Sequence, residues 1–222
     1  MPYFVFRIRP FAQIEKLAQF DGFQAASAHA KTLRAGAGEP SPGKIKVMFA
    51  DNCAGCHQAG GAGLIGSYPS LVDDDWIWGG KFSQVEKTIR KGRTGSMPAF
   101  GARFDEDKIN ALSEYVLSLS GQSKDAAMVH RGKILFQGEA GCAACHTSTG
   151  QGNIAMGSAN LTDQIWTVAN IQSKSDHDKR LNAIKYVITN GIGRTMPAWE
   201  SRFTDTEIKM LTLYVHELGS SK

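Results

Sequence analysis

The sequence has no run of about 18 apolar residues, so no segment is long and apolar enough to span a membrane as a helix. It also has no cluster of basic residues, because the formal net charge of +4 is spread along the chain. That distribution argues against a nucleic-acid-binding protein. Hydrophobic residues make up 42% of the 222 residues and charged residues 21%, as in ordinary globular proteins. The length allows two domains or one large one.

The first 42 residues lack the features of a secretory signal. They contain no apolar core of adequate length and no small-residue cleavage site. Residues 3–8 are β-prone and partly alternating, which predicts a strand, and residues 12–33 predict one or two amphipathic helices. A linker bearing Gly, Pro and Ser follows at residues 36–43. We therefore expect residues 1–42 to form a small N-terminal segment with a strand and a helix.

Cysteine is scarce, and all four cysteines are used in two motifs. These are C-x-x-C-H motifs, formed by Cys53, Cys56 and His57 and by Cys142, Cys145 and His146. This pattern is the attachment site of c-type haem, in which two thioethers hold the porphyrin and the imidazole binds iron. A redox dithiol, a zinc site and a disulfide pair are the alternatives. The dithiol lacks its βαβ context, and a zinc site of two C-x-x-C pairs leaves both histidines unexplained. The sequence predicts two covalently bound haem c groups.

Two of the seven methionines share one sequence context. Met97 lies 40 residues after His57 and Met196 lies 50 residues after His146, and each is followed by Pro-Ala and an aromatic residue. Proline after methionine holds the segment extended, so a loop can lie across the open face of a haem. A methionine is more often core filler. Recurrence at matching places in both halves favours Met97 and Met196 as the sixth iron ligands.

The chain repeats itself after residue 43. The pattern Leu-x-Asp-x-x-Trp occurs at Leu71–Trp76 and again at Leu161–Trp166. The helix before each C-x-x-C-H motif begins with Gly-Lys-Ile, at residues 43–45 and 132–134, at the same distance from the first cysteine. Each methionine loop is followed by an Arg-Phe pair and an amphipathic helix, with equivalent tyrosines in the two helices. Such self-similarity indicates two copies of one structural unit.

The repeat predicts an all-α fold of two tandem domains, residues 43–121 and 122–222. Their last helices place apolar residues on one face, namely Ile109, Leu112, Val116 and Leu119 in the first and Ile208, Leu211 and Val215 in the second. Thr204 and Glu207 are spaced as a capping box for the final helix. The second domain is longer by a polar insertion at residues 172–180, which is either a docking contact or a solvated loop.

Several residues near the motifs have two interpretations each. Trp76 and Trp166 could donate an indole N–H to a haem propionate or could fill the core. Four arginines flank the methionine loops and could pair with propionates or form ordinary surface salt bridges, namely Arg93, Arg103, Arg194 and Arg202.

The remaining candidates concern histidine. The carbonyls of Pro69 and Ala159 could accept the Nδ1 protons of His57 and His146 and so orient both rings. Four histidines lie outside the motifs and are predicted to be surface residues, namely His29, His130, His177 and His216.

Both halves resemble class I cytochrome c domains, and the tandem is similar to the dihaem subunit of cbb-type haem-copper oxidases. The resemblance covers residues 43–220 and is carried by the motifs above together with Gly79-Gly80. It implies iron ligands at His57, Met97, His146 and Met196. It also implies electron passage from a soluble donor towards a membrane-embedded catalytic subunit. In place of that family's N-terminal transmembrane anchor, this chain has residues 1–42.

The resemblance therefore implies an electron-transfer protein that is not itself an enzyme. We expect redox proteins as partners, with a membrane oxidase complex favoured, no nucleic acid, and a periplasmic location or one on the outer face of the cytoplasmic membrane. A free soluble dihaem carrier and the electron-accepting subunit of a dehydrogenase are alternatives. A dihaem peroxidase, in which one haem lacks its methionine, is disfavoured because the chain is short and both methionine loops look intact.

Overall fold

The computed structural model describes residues 42–171, 174 and 176–219. The strand and helices predicted within residues 1–41 lie outside the described residues, as do residues 172, 173 and 175 of the insertion. The chain divides into two compact units, Met1–Gly43 and Lys44–Lys222. All packing between elements reported below lies within the second unit.

The described residues form eight helices and two short strands. In chain order these are α1 Pro42–Asn52, α2 Ala54–His57, α3 Phe82–Lys91, β1 Arg93–Met97, α4 Glu106–Leu119, α5 Ala126–Gln137, α6 Ala143–His146, α7 His177–Asn190, β2 Ile192–Met196 and α8 Asp205–Gly219. The predicted all-α class is confirmed. The two strands were not predicted as strands, although the extended backbone before each proline was.

Capping residues and apolar spacing explain where the two long terminal helices begin. Asp105 accepts a hydrogen bond from the backbone N–H of Lys108 at the start of α4. Before α8, Thr204 accepts from the N–H of Glu207 while the Glu207 carboxylate accepts from the N–H of Thr204, which is the predicted capping box. The predicted apolar faces of α4 and α8 are buried, apart from the half-buried Leu119.

Two clusters of buried side chains form the core. The α1 cluster joins α1, α3 and α8 and consists of Ile45, Met48, Phe49, Val85, Ile89, Trp199, Ile208, Leu211 and Val215. The α5 cluster joins α4, α5 and α7 and includes Leu112, Tyr115, Leu117, Leu135, Phe136, Ile184 and Ile188. The elements of the α5 cluster are continuous in sequence, from β1 to α7. The elements of the α1 cluster come from the two ends of the described chain. The segment that forms the α5 cluster is therefore inserted in sequence between the two segments that form the α1 cluster.

The two strands connect the segments that form the α1 cluster and the α5 cluster. β1 and β2 pair antiparallel, with Arg93 opposite Met196 and Met97 opposite Ile192. Beyond β1, the N–H of Phe100 donates to the carbonyl of Ile188 in α7, at 3.0 Å. Beyond β2, the N–H of Trp199 donates to the carbonyl of Ile89 in α3, at 3.1 Å. Each strand therefore leads onto the helix that precedes the other strand.

A glycine precedes each strand and is required there. Gly92 and Gly191 have φ of 66° and 68°, a region that L side chains rarely adopt. A Cβ at Gly92 would also overlap the carbonyl oxygen of Met196, and one at Gly191 would overlap that of Met97. The two backbones pass too closely for any other residue.

A pair of aromatic rings lies at the equivalent helix–helix contact of each cluster, between α1 and α8 and between α5 and α4. Phe49 and Tyr214 lie 5.2 Å apart between ring centroids, and Phe136 and Tyr115 lie 5.1 Å apart. Gly132 precedes Phe136 by the four residues that separate Ile45 from Phe49. Gly132 therefore corresponds to Ile45 and not to Gly43, so the predicted equivalence of the two Gly-Lys-Ile segments is wrong by two residues. The reason is that Phe136 is six residues before Cys142, whereas Phe49 is four residues before Cys53. Accordingly Ile45 is 3% exposed whereas Ile134 is 61% exposed.

Candidate functional site

Each motif histidine is held by a backbone carbonyl. The Nδ1 atom of His57 lies 3.1 Å from the oxygen of Pro69, and that of His146 lies 2.9 Å from the oxygen of Ala159. A carbonyl only accepts, so Nδ1 carries the proton and the lone pair of Nε2 remains for a metal. Burial lowers the pKa of both imidazoles, which favours this neutral form. The arrangement is that of a metal ligand oriented by its outer partner.

The chain turns sharply after each of these histidines. Gln58 and Thr147 have φ of 67° and 66°, and they are the non-glycine residues with positive φ among those the structure describes. Such a conformation is strained for a residue with a Cβ, and strain of this kind clusters at functional sites. The turn sends the chain back across α2 or α6, so that the carbonyl of Pro69 or Ala159 reaches the ring.

The environment of the motif cysteines argues against a reactive dithiol. All four are free, with Cys56 and Cys145 exposed and Cys53 and Cys142 half-buried. Burial raises the pKa of Cys53 and of Cys142 to about 11. A redox dithiol needs the opposite shift. Within the described residues no three His, Cys, Asp or Glu side chains converge on one point, so the two C-x-x-C pairs do not build a joint zinc site.

The structure brings each motif together with the methionine of the other half. Met196 packs against the α1 cluster, which Cys53 and Trp76 also contact. Met97 packs against the α5 cluster, which Cys142 and Trp166 also contact. The sequence spacing had suggested that each half supplies its own methionine. The crossing of β1 and β2 is the reason for the difference, because each strand ends in its methionine after entering the other unit.

The four arginines near the methionine segments form no ion pair among the described residues. Arg93 donates from Nε to Oγ1 of Thr88 at 2.8 Å, and Arg194 donates to the carbonyl of Gly66 at 2.6 Å. Arg103 lies over Phe100 and Phe104, and Arg202 lies over Trp199. Within the part of the chain that the structure describes, none of the four forms the ordinary surface salt bridge that was one of the two interpretations. The buried indole Nε1 of Trp166 has no hydrogen-bond partner among the described residues.

Similarity to known proteins agrees with these features. Residues 41–116 and 127–215 match the family model described as cytochrome c oxidase, cbb3-type, subunit III. The chain belongs to that family. The cbb3-type subunit FixP of Azorhizobium caulinodans is 44% identical over 186 residues, which is 80% of this chain and 59% of the relative. FixP of Bradyrhizobium diazoefficiens is 40% identical over 193 residues, covering 81% of this chain and 61% of the relative.

A third relative carries another name. The cbb3-type subunit CcoP of Cereibacter sphaeroides is 36% identical over 187 residues, or 79% of this chain and 60% of the relative. The chain thus spans about three fifths of the length of these curated relatives. No helix of the part that the structure describes is long and apolar enough to cross a membrane.

Covalent haem c is the cofactor of the cbb3 subunit III family, and the side chains present here fit two such groups. Each site offers two thiols, a neutral imidazole with a free Nε2 and a thioether in the same cluster. Among the described residues, the indole N–H of Trp166 has no acceptor, and the guanidiniums of Arg93, Arg103, Arg194 and Arg202 have no carboxylate partner. The carboxylates of haem propionates would satisfy them.

Residues outside the motifs also shape the sites. The ring of Trp78 lies against Gly157, where a Cβ would collide with it, and the guanidinium carbon of Arg93 lies 4.7 Å from its centroid. Sequence reasoning did not single out Trp78, because it lies outside every repeated motif. The N–H of Gly66 donates to the carbonyl of Thr167, which ties the loop after the first motif to the second half.

His177 is not the surface residue that the sequence suggested. Its side chain is 16% exposed, and Nε2 lies 2.6 Å from a carboxylate oxygen of Glu114. Glu114 is 5% exposed, and its other oxygen accepts from Ser123 at 2.5 Å. The end of the insertion therefore locks α7 to α4. His130 is exposed as predicted, His216 is half-buried beside Phe82, and His29 lies outside the described residues.

Proposed function

We propose that this chain is the electron-transferring subunit of a cbb-type terminal oxidase and is not catalytic by itself. The observation that carries the proposal is the placement of each C-x-x-C-H motif in one cluster with the Met-Pro methionine of the other half. Haem c with histidine and methionine ligands exchanges single electrons and has a raised potential. Two such centres in one chain suit the relay of electrons from a donor to the oxidase.

The proposed ligand pairs cross between the halves. The iron bound through Cys53 and Cys56 takes His57 and Met196, and the iron bound through Cys142 and Cys145 takes His146 and Met97. With both axial positions filled by protein, neither site has room for a small-molecule substrate. This argument favours electron transfer over a peroxidase. The predicted domain boundary at residue 121 falls between α4 and α5, and these two helices pack on each other. We therefore propose a different division, in which residues 93–190 form one haem-binding unit and the chain on either side of them forms the other.

Double substitutions test the crossed pairs. His57→Ala with Met196→Ala removes both ligands of one haem, so one intact low-spin centre with its sulfur-to-iron charge-transfer band should remain. His57→Ala with Met97→Ala disrupts both sites, and no such centre should remain. Both expectations also hold if His57→Ala prevents attachment of the first haem. The haem that remains is then the one bound by His146, and only Met97→Ala removes its methionine ligand. Ligation within each half predicts the reverse pattern.

Mass spectrometry tests the haem content. Protein matured with haem should exceed the polypeptide mass by two haems, and a gain of one haem or of a zinc ion would contradict the assignment. We also propose a periplasmic location, because thioether attachment normally follows export. Co-purification with a copper-containing membrane oxidase would support the proposed partner. A stable monomer that exchanges electrons with several soluble proteins would instead support a free carrier.

A further inference from the structure

The two methionines have different neighbours across the strand pair. Positions along β1 and β2 alternate between half-buried and exposed, so one face carries Arg93, Gly95 and Met97 opposite Met196, Arg194 and Ile192. Partners in an antiparallel pair lie on the same face of the ribbon. Met196 therefore has Arg93 beside it, whereas Met97 has Ile192 beside it. The repeat equates Arg93 with Ile192, so this difference breaks the symmetry of the two sites.

The Arg93 guanidinium is held near the site of Met196. Its Nε donates to Thr88 in α3, the helix whose Val85 and Ile89 belong to the cluster that Met196 contacts. Its other face rests on Trp78. No carboxylate of the described residues pairs with it, so no neighbouring anion of the chain cancels its charge. Burial lowers its pKa, yet an arginine stays protonated under these conditions.

Other arginines also lie near the sites. Arg103 and Arg202 occupy equivalent places, each over an aromatic ring of its own methionine segment, and Arg103 is also close enough to Cys142 to oppose the rise in the pKa of that thiol. Asp75 of the first half and Asp163 of the second are close enough to interact, so negative charge is contributed by both halves. Arg194 faces Gly95 and donates to Gly66, in the loop after the first motif. It adds positive charge on the same side as Arg93.

A fixed positive charge favours the reduced form of a nearby iron, because reduction removes one unit of positive charge from that iron. We infer that Arg93 makes the haem attached at Cys53 and Cys56 the higher-potential centre of the pair. This inference rests on the proposed ligation by Met196. Electrons entering at the haem of Cys142 and Cys145 would then pass downhill to the haem of Cys53 and Cys56. Arg93 thus acts as a residue that sets the direction of transfer.

The test uses redox titration of the full chain with both haems attached. Met97→His and Met196→His each give one haem a bis-histidine spectrum, which marks that haem. With Met97→His, Arg93→Gln should lower the potential of the remaining His/Met haem, by on the order of tenfold in its reduction equilibrium, or about 59 mV. With Met196→His, Arg93→Gln should leave the remaining His/Met haem almost unchanged.

Two variants control for charge and for general disturbance. Arg93→Lys keeps the charge and should retain most of the potential. Arg131→Gln removes an exposed arginine of α5 that pairs with Asp107, and it should shift neither haem. The inference is overturned if Arg93→Gln shifts both haems equally, shifts only the other haem, or shifts neither. A Met196→His variant with unchanged spectra would instead refute the proposed ligation.

Discussion

The two helix contacts marked by phenylalanine and tyrosine differ in how closely the helices approach. At Gly132 the backbone of α5 lies against the carbonyl of Ala111 in α4, where a Cβ would overlap the oxygen. The equivalent residue of α1 is Ile45, whose side chain is buried between the helices. One contact is therefore made by backbone and the other by an aliphatic side chain. Outside the cluster, α1 is tied to α8 by the ion pair of Lys44 and Glu207, which is solvent-exposed and so weak.

This difference shows that equivalent elements in a repeat need not have equivalent stability. The α5 contact has no space to relax, so it tolerates no added atom. The α1 contact depends on how well Ile45 packs, so it can loosen gradually. We expect α1 to open before α5 in hydrogen exchange, because its contact is made by a side chain and not by closely packed backbone.

The largest effect is expected when Gly132, at the closer contact between α5 and α4, is replaced by the isoleucine found at the equivalent position 45. Gly132→Ile should cost about 4 kcal/mol or more of unfolding free energy, because α5 must move away from α4. Chemical denaturation followed by far-UV circular dichroism measures the loss. Gly60→Ala is the control, since a Cβ at Gly60 meets no atom within 4 Å. A loss below about 1 kcal/mol for Gly132→Ile would mean that the two contacts are not different.

The second comparison concerns the residue before each tyrosine. Glu114 precedes Tyr115 and Leu213 precedes Tyr214, so only α4 carries a buried carboxylate there. His177→Ala leaves that carboxylate with Ser123 as its remaining hydrogen-bond partner and should cost about 3 kcal/mol of unfolding free energy. Adding Glu114→Leu, which copies Leu213, should recover most of that loss. Thermal unfolding of the two variants checks this, and a double variant no more stable than His177→Ala would refute the buried pair.

The smallest effect separates Asp75 from its counterpart Ile165. Burial, then Asp163, then Asp73 raise the pKa of Asp75 to about 6 from the usual 3.8. The native state therefore keeps this proton to higher pH than the unfolded chain does, so stability falls as pH rises between those values. Asp75→Asn should raise the free energy of unfolding at pH 7 by on the order of 1 kcal/mol, after allowance for solvent screening, and Tm should rise with it.

The gain from Asp75→Asn should vanish below about pH 4, where both states of the wild-type chain are protonated at this position. Thermal melts at pH 7 and pH 3.5 make the comparison. Asp74→Asn, at the exposed neighbouring carboxylate, should change Tm little at either pH. A gain from Asp75→Asn that persists at the lower pH would show that its cause is not the charge.

The sequence predicted the residue types of the two sites better than it predicted which methionine lies near which C-x-x-C-H motif. Cys53, His57 and the carbonyl of Pro69 are close in sequence, so local spacing was enough to find them. The placement of Met196 in the same cluster as the first motif depends on contacts between distant segments, which spacing does not encode. Glycine gave the one available signal. Gly92 and Gly191 mark the point where two backbones pass closely, and a repeat of independent domains has no need of that passage.

The same reasoning explains the error at α5. Gly-Lys-Ile recurs at the same distance from the cysteines, yet the helices align on Phe49 and Phe136 instead. A ring pair fixes helix register through packing, whereas a short identical tripeptide fixes nothing. The role of Trp78 was missed because its contact, Gly157, lies in the other half of the chain.

The insertion of one unit within the other sets an order of assembly. The segment from β1 to α7 holds Met97, Cys142 and His146, and it is complete before β2 and α8 have been synthesised. Cys53 and His57 precede this segment, whereas Met196, which packs against the cluster that Cys53 contacts, follows it. A chain extending from its N-terminus can therefore close the second haem site first and the first haem site last. A cut between α4 and α5 would separate Met97 from His146 and leave the cut segments joined only through packing.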